Sequence, residues 1–205
     1  MVRIKICGLF RDCDIDFVNE AKPDYIGFVF ANSRRQVSFD QARHMRNRLH
    51  PDIMPVGVFV DAPHEQIVQL YRDGIIGMAQ LHGQEDDTYI DALRQLCHLP
   101  VIQSVAVKTR EDILRQQSSP ADYLLLDNAA GGSGQSFDWQ LIPTMNRPYF
   151  MAGGIDEAKM PAALSRLPYG IDISSGAESK GVKDRDKIMR LLELARHSSN
   201  GGQRS

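Results

Sequence analysis

Short apolar runs rich in β-branched residues alternate with polar or glycine-bearing breaks and helix-like segments along almost the whole chain. Such runs suit strands buried on both faces of a parallel sheet. The first run is Arg3–Ile6, followed by a helical segment near Asp12–Glu20. Tyr25–Phe30 predicts the second strand, and Phe39–Leu49 a helix with Pro51 as its stop. Val56–Val60 is the third strand, and the helix after it starts at Asp61 with Pro63 in its first turn. Gly77–Leu81 and Val101–Val107 follow as strands, each before a helix, Glu85–Leu96 and Arg110–Gln116. Asp122–Leu126 is the sixth strand, with only a short helix, 137–142, behind it. Tyr149–Ala152 with Asp156–Leu167, then Ile171–Ser174 with Asp186–Ala195, complete the series.

Eight β-then-α units in 205 residues predict a single compact (β/α)8, or TIM, barrel over residues 1–197. The rival is an open doubly wound sheet. It usually has fewer strands, and no Gly-x-Gly-x-x-Gly fingerprint follows the first strand here. Residues 198–205 hold little that can be buried and read as a frayed tail.

Composition narrows the class. Hydrophobic residues make up 42% and charged residues 24%, as in ordinary globular proteins. The formal net charge is −2 and there is no long basic block, so nucleic-acid binding through a charge patch finds no support. No apolar run approaches the roughly 20 residues of a membrane helix, and the start is too charged for a signal-peptide core. Three cysteines, an odd number, favour reduced thiols and a cytoplasmic location. Cys7, Cys13, His82, Cys97 and His98 show no paired ligand spacing, so no metal is expected.

In a barrel the chemistry sits at the carboxyl ends of the strands. Those ends here are polar or small: Cys7-Gly8, Phe30 to Arg35, Asp61, Gln80 to Gly83, Asp127-Asn128, Ala152 to Gly154 and Ser174 to Gly176. Side chains alternate along a strand. If Cys7 faces the mouth, Lys5 faces inward and Ile4 and Ile6 face the helices; Asp172 then shares the face of Ser174. Strands one and eight are neighbours in a closed barrel, so Lys5 and Asp172 are predicted to meet inside, since neither is buried cheaply alone.

Asp127 ends an apolar strand beside Gly131-Gly132-Ser133-Gly134, a loop able to close over a ligand. It reads equally as a helix cap. Glycines at 153–154 and 176, with Ser174 and Ser175, end strands seven and eight, where barrels often seat a phosphate on backbone N–H groups. Cys7 reads either as a small core residue, the assignment for Cys13 and Cys97, or as a thiolate base whose pKa a neighbouring Lys5 lowers. A carboxylic acid and a thiolate across one mouth form an acid–base pair suited to isomerisation. Arg34 and Arg35 read as a bidentate clamp for a carboxylate, with at least one of them a solvated loop charge. His82 is either site-lining or simply a polar strand end.

These segments resemble a family. Lys-Ile-Cys-Gly-Leu (5–9), Gly-Phe-Val-Phe (27–30), Ser-Arg-Arg-Gln-Val (33–37), Val-Gly-Val-Phe-Val (56–60) and Gln-Leu-His-Gly (80–83) come first. Leu-Leu-Asp (125–127), the stretch 131–139, Ala-Gly-Gly-Ile (152–155) and Asp-Ile-Ser-Ser-Gly-Ala-Glu (172–178) follow, with Gly181 and Lys183-Asp184. Together they resemble the phosphoribosylanthranilate isomerases of tryptophan biosynthesis.

The resemblance implies an Amadori rearrangement of N-(5-phosphoribosyl)anthranilate with Asp127 as general acid and Cys7 as general base. It implies Arg35 on the anthranilate carboxylate, Gly153, Gly154, Ser174, Ser175 and Gly176 at the phosphate, and Lys5, Gln80, His82 and Asp172 lining the substrate. No cofactor is implied, because the substrate nitrogen is the electron sink. The only partner expected is the phosphosugar substrate, and the chain is expected to be a monomer. The family usually has Pro at Arg34, an aromatic at Gln36, an acid at Cys13 and Val at Ala177. Three rivals remain: a related phosphosugar isomerase of histidine biosynthesis, which uses two aspartates; a non-catalytic phosphate-binding barrel; and relaxed specificity towards a second aminoaldose, suggested by the altered second loop.

Overall fold

The computed structural model describes residues 1–128 and 136–200, the last three as helix backbone. The strands are β1 Arg3–Cys7, β2 Tyr25–Val29, β3 Met54–Phe59, β4 Met78–Leu81, β5 Val101–Val107, β6 Tyr123–Asn128, β7 Tyr149–Met151 and β8 Gly170–Ile173. They close into a barrel in sequence order, and every neighbouring pair is parallel. The helices are α1 Asp12–Ala21, α2 Phe39–Arg48, α3 His64–Arg72, α4 Asp87–Leu96, α5 Arg110–Gln116, α6 Met160–Ser165 and α7 Arg185–Asn200. A two-stranded antiparallel ribbon, β9 Glu178–Ser179 with β10 Val182–Lys183, follows β8.

Alternation along the strands divides the apolar residues into two cores. Ile4, Ile6, Ile26, Phe28, Ala79 and Leu81 face the helices and pack with their apolar stripes. Val56, Met78, Ile102, Leu125 and Phe150 fill the barrel interior. Tyr25, Tyr123 and Tyr169 pack around Phe150 near the amino ends of the strands, and the Tyr25 and Tyr169 hydroxyls share a 2.8 Å hydrogen bond. The interior is therefore closed below, leaving the carboxyl ends as the place for a site.

The departures from the predicted elements have local causes. The third helix starts at His64, not Asp61, because Asp61 is left-handed (φ 50°) and turns towards the β4 loop. There its N–H donates to Glu85 Oε1 at 2.7 Å, and its Oδ1 accepts the Gln84 N–H at 2.7 Å. The sixth helix shortens to Met160–Ser165. Pro161 has no N–H to continue a helix from Asp156. Behind β6 the described residues hold a 3-10 turn, Trp139–Leu141, capped by Asp138, where a short α-helix was expected. The last helix runs to Asn200, three residues into the stretch read as tail. The glycine loop 131–134 and residues 201–205 lie outside the described residues.

Candidate active site

Cys7 is the last residue of β1 and Asp127 the penultimate residue of β6, both at carboxyl ends. Between their strands stands the ion pair predicted from alternation. Lys5 and Asp172 are register partners on β1 and β8, and Lys5 Nζ lies 2.9 Å from Asp172 Oδ1. Lys5 is fully buried and Asp172 is 8% exposed. Both members act electrostatically on the Cys7 thiol and on the Asp127 carboxyl. Cys7 and Asp127 thus share one charged neighbourhood.

The thiol corrects one expectation. Lys5 does pull its pKa down, and Lys183 adds to that, but burial outweighs both and leaves the thiol above its ordinary value. Its Sγ is sheltered by Gly27 of β2, where an added Cβ would lie 2.7 Å from the sulfur. Burial therefore favours the thiol over the thiolate.

Burial likewise raises the pKa of Asp127, against opposing pulls from the Asn128 N–H, His82 and Lys5. The Asn128 N–H donates to Asp127 Oδ1 at 2.7 Å. His82 follows β4, and its Nε2 lies 3.9 Å from Asp127 Oδ2. The other ring nitrogen, Nδ1, meets Ser104 Oγ at 2.7 Å and Gln80 Nε2 at 3.2 Å. Ser104 and Gln80 therefore hold the ring with Nε2 towards the carboxyl. Gln80 is buried, and its Oε1 has no partner among the described residues.

Arg35 and Arg34 do not stand free. Glu178 of β9 takes Arg35 Nε at 2.7 Å and Nη2 at 3.0 Å, together with Arg34 Nη2 at 2.6 Å. Arg34 is the more solvated of the two, at 56% exposure against 14%. Lys183 of β10 completes the cluster at 2.7 Å from Glu178 Oε1. These partners hold the Glu178 carboxyl below its ordinary pKa despite its burial.

The loops after β7 and β8 lie against each other at Ile155 and Gly176. Gly153 and Gly154 are left-handed, with φ 91° and 58°. A Cβ on Gly176 would fall 1.9 Å from the Ile155 carbonyl oxygen, so only glycine lets the two loops approach this closely. Ser175 and Gly176 sit in the 3-10 turn Ser175–Ala177. Ser174 stands at the same strand end, but its hydroxyl donates to the Cys7 carbonyl at 3.2 Å.

Three contributors escaped the sequence reading. Glu178 and Lys183 lay within quoted motifs without a role. Their signal was two charges at the start and end of a short Gly-bearing ribbon that the barrel must bury. Ser104 had a plainer signal, a polar residue two positions from Ile102, next to Gln103 on a strand whose other members are apolar.

A closed parallel barrel that gathers its ionisable groups and glycine loops at the carboxyl ends of its strands has the layout of a (β/α)8 enzyme. Comparison with known proteins narrows that class. The family model described as N-(5'phosphoribosyl)anthranilate (PRA) isomerase matches residues 4–194, and the chain belongs to that family. It is 43% identical over 201 residues to an N-(5'-phosphoribosyl)anthranilate isomerase of Endomicrobium trichonymphae, covering 96% of this chain and 99% of the relative. Among solved structures it resembles a phosphoribosyl anthranilate isomerase in complex with reduced 1-(o-carboxyphenylamino)-1-deoxyribulose 5-phosphate. That match has 31% identity and a TM-score of 0.85, over 96% of this chain and 100% of the other. A second match is to mutually generated monomers of the dimeric enzyme from Thermotoga maritima, at 31% identity and a TM-score of 0.84 over the same shares.

No helix among the described residues is long and apolar enough to cross a membrane.

Proposed function

We propose that this chain converts N-(5-phosphoribosyl)anthranilate to 1-(2-carboxyphenylamino)-1-deoxyribulose 5-phosphate in tryptophan biosynthesis, with Asp127 as general acid and Cys7 as general base. The observation that carries this reading is the shared neighbourhood of the two groups around the Lys5–Asp172 pair. Asp127, its pKa raised by burial, gives its proton to the furanose ring oxygen as the C1–O bond breaks. The nitrogen lone pair closes the C1=N bond, leaving a cationic imine. Cys7 then removes the proton on C2; that C–H pair becomes the C1=C2 bond, and the C=N pair returns to nitrogen. The resulting enolamine relaxes to the ketone by moving a proton from the C2 hydroxyl to C1. The nitrogen serves as electron sink, so the mechanism needs no metal or organic cofactor.

Arg35 faces the anthranilate carboxylate in this reading. The loops of Gly153, Gly154, Ser174, Ser175 and Gly176 take the phosphate through backbone N–H groups. Lys5, Gln80, His82 and Asp172 line the sugar. The proposal has the chain act as a cytoplasmic monomer, a state that light scattering measures directly.

Turnover followed by loss of substrate fluorescence tests the roles. Cys7→Ser and Asp127→Asn should each lower kcat by roughly 10²-fold or more while circular dichroism shows the fold intact. Unchanged turnover in both variants ends the acid–base assignment. A barrel that only binds phosphate would show no turnover in the parent either.

A further inference from the structure

Glu178 is 7% exposed, yet three cations converge on it from two loops. Oε1 accepts from Arg35 Nε and Lys183 Nζ, each at 2.7 Å. Oε2 accepts from Arg35 Nη2 at 3.0 Å and Arg34 Nη2 at 2.6 Å. A carboxylate offers about four lone-pair sites, and these four donors fill them. Glu178 therefore has no acceptor left for a ligand, and its effect must pass through the cations it holds.

Two features show where that effect goes. One carboxylate against three cations leaves the cluster positively charged at the barrel mouth. Arg35 is gripped at Nε and Nη2 in a two-point pair, which fixes the guanidinium plane and leaves Nη1 outside the pairing. Its stem also lies across Gly8, where a Cβ would come 2.4 Å from Arg35 Cδ. Gly8 is left-handed (φ 84°) and follows Cys7 directly. A second chain of bonds reaches the same residue. Lys183 Nζ donates to the Ser174 carbonyl at 3.1 Å, and Ser174 Oγ donates to the Cys7 carbonyl.

We propose that Glu178 is the positioning residue for substrate specificity. It orders Arg35 beside Cys7 before binding, so that the cluster's surplus positive charge meets the ring carboxylate of an N-aryl substrate. This rests on the carboxylate contact assigned to Arg35 above. The gain is preorganisation: without Glu178, a long flexible side chain has to be ordered at each binding event. Arg34 joins the same carboxylate and adds charge to the receptor from its solvent side.

The test compares two reduced product analogues, one with the ortho carboxylate on the phenyl ring and one without it, by calorimetric titration. Glu178→Gln should weaken the carboxylated analogue roughly tenfold or more and leave the unsubstituted one within about twofold. The KM for substrate should rise in step, with a smaller fall in kcat. Equal weakening of both analogues means a merely structural role and overturns the proposal, as does no weakening of either. Should Glu178→Gln fail to fold, Glu178→Asp keeps the charge on a shorter arm and must show the same preferential loss. Arg35→Ala run in parallel separates the two layers. If Arg35→Ala discriminates between the analogues and the Glu178 variant does not, only the positioning role fails. If Arg35→Ala does not discriminate, the carboxylate assignment itself falls and takes the proposal with it.

Discussion

Replacing Lys5 by Met tests the electrostatic centre of the barrel. The substitution keeps an unbranched stem of similar length and removes the cation, which strands the Asp172 carboxylate in a nearly closed interior. At the observed 2.9 Å, and with an effective dielectric constant of about 20, the pair is worth roughly 6 kcal/mol of Coulomb energy. Breaking a buried pair from one side costs about 3–5 kcal/mol once the structure relaxes. For a chain of this size that predicts a fall in Tm of roughly 6–20 °C. Thermal and urea unfolding followed by circular dichroism measure it. The double variant Lys5→Met with Asp172→Leu should recover most of the lost stability, since an apolar pair of similar volume is often neutral. It should not recover turnover, because both charges act on Cys7 and Asp127. A cost below about 1 kcal/mol for Lys5→Met would refute the argument, since exposed pairs already reach that value.

Two further outcomes follow from the site. In the proposed mechanism Asp127 must be protonated and Cys7 ionised, while burial holds both groups above their ordinary values. Protonated Asp127 becomes scarcer as pH rises through its raised value, and thiolate becomes more abundant up to the raised thiol value. The profile of kcat/KM should therefore climb through the acid range, stay level, and fall only above the ordinary thiol value of 9.0. A falling limb near neutrality would contradict the buried, protonated thiol. Gly176→Ala places a Cβ against the Ile155 carbonyl and should cost about 1–3 kcal/mol in urea unfolding, with a raised KM and weaker inhibition by inorganic phosphate. Normal phosphate inhibition in that variant would remove the two-loop seat.

The barrel was legible because its strands are buried on both faces and so appear as short apolar runs, which count directly. The ends of helices were less legible. Asp61 leaves its helix for a tertiary hydrogen bond to Glu85, a partner 24 residues away that no local pattern reveals. Lys5 and Asp172 were readable because period-two alternation and closure of the first strand on the last fix both partners together. The state of Cys7 was not readable. Proximity to Lys5 gave the right sign for one influence, but the opposing influence is burial by Gly27 and the barrel wall, which exists only once the sheet closes. Arg35 shows the same limit. Its chemistry pointed to a carboxylate, and the first carboxylate it meets is the chain's own Glu178.

The raised thiol also bears on the order of the proposed steps. Burial favours the thiol form, which is less reactive towards oxidants and alkylating agents than the thiolate. Only the ionised fraction of Cys7 can serve as the base. In the proposed reaction a positive charge appears when Asp127 has opened the ring and the substrate nitrogen carries the cationic imine. The imine acidifies C2, and the thiolate fraction of Cys7, its proton already released to solvent, takes the C2 proton. In the proposed mechanism burial serves the acid, keeping its proton in place before substrate arrives, and holds the thiolate of Cys7 to a minor fraction.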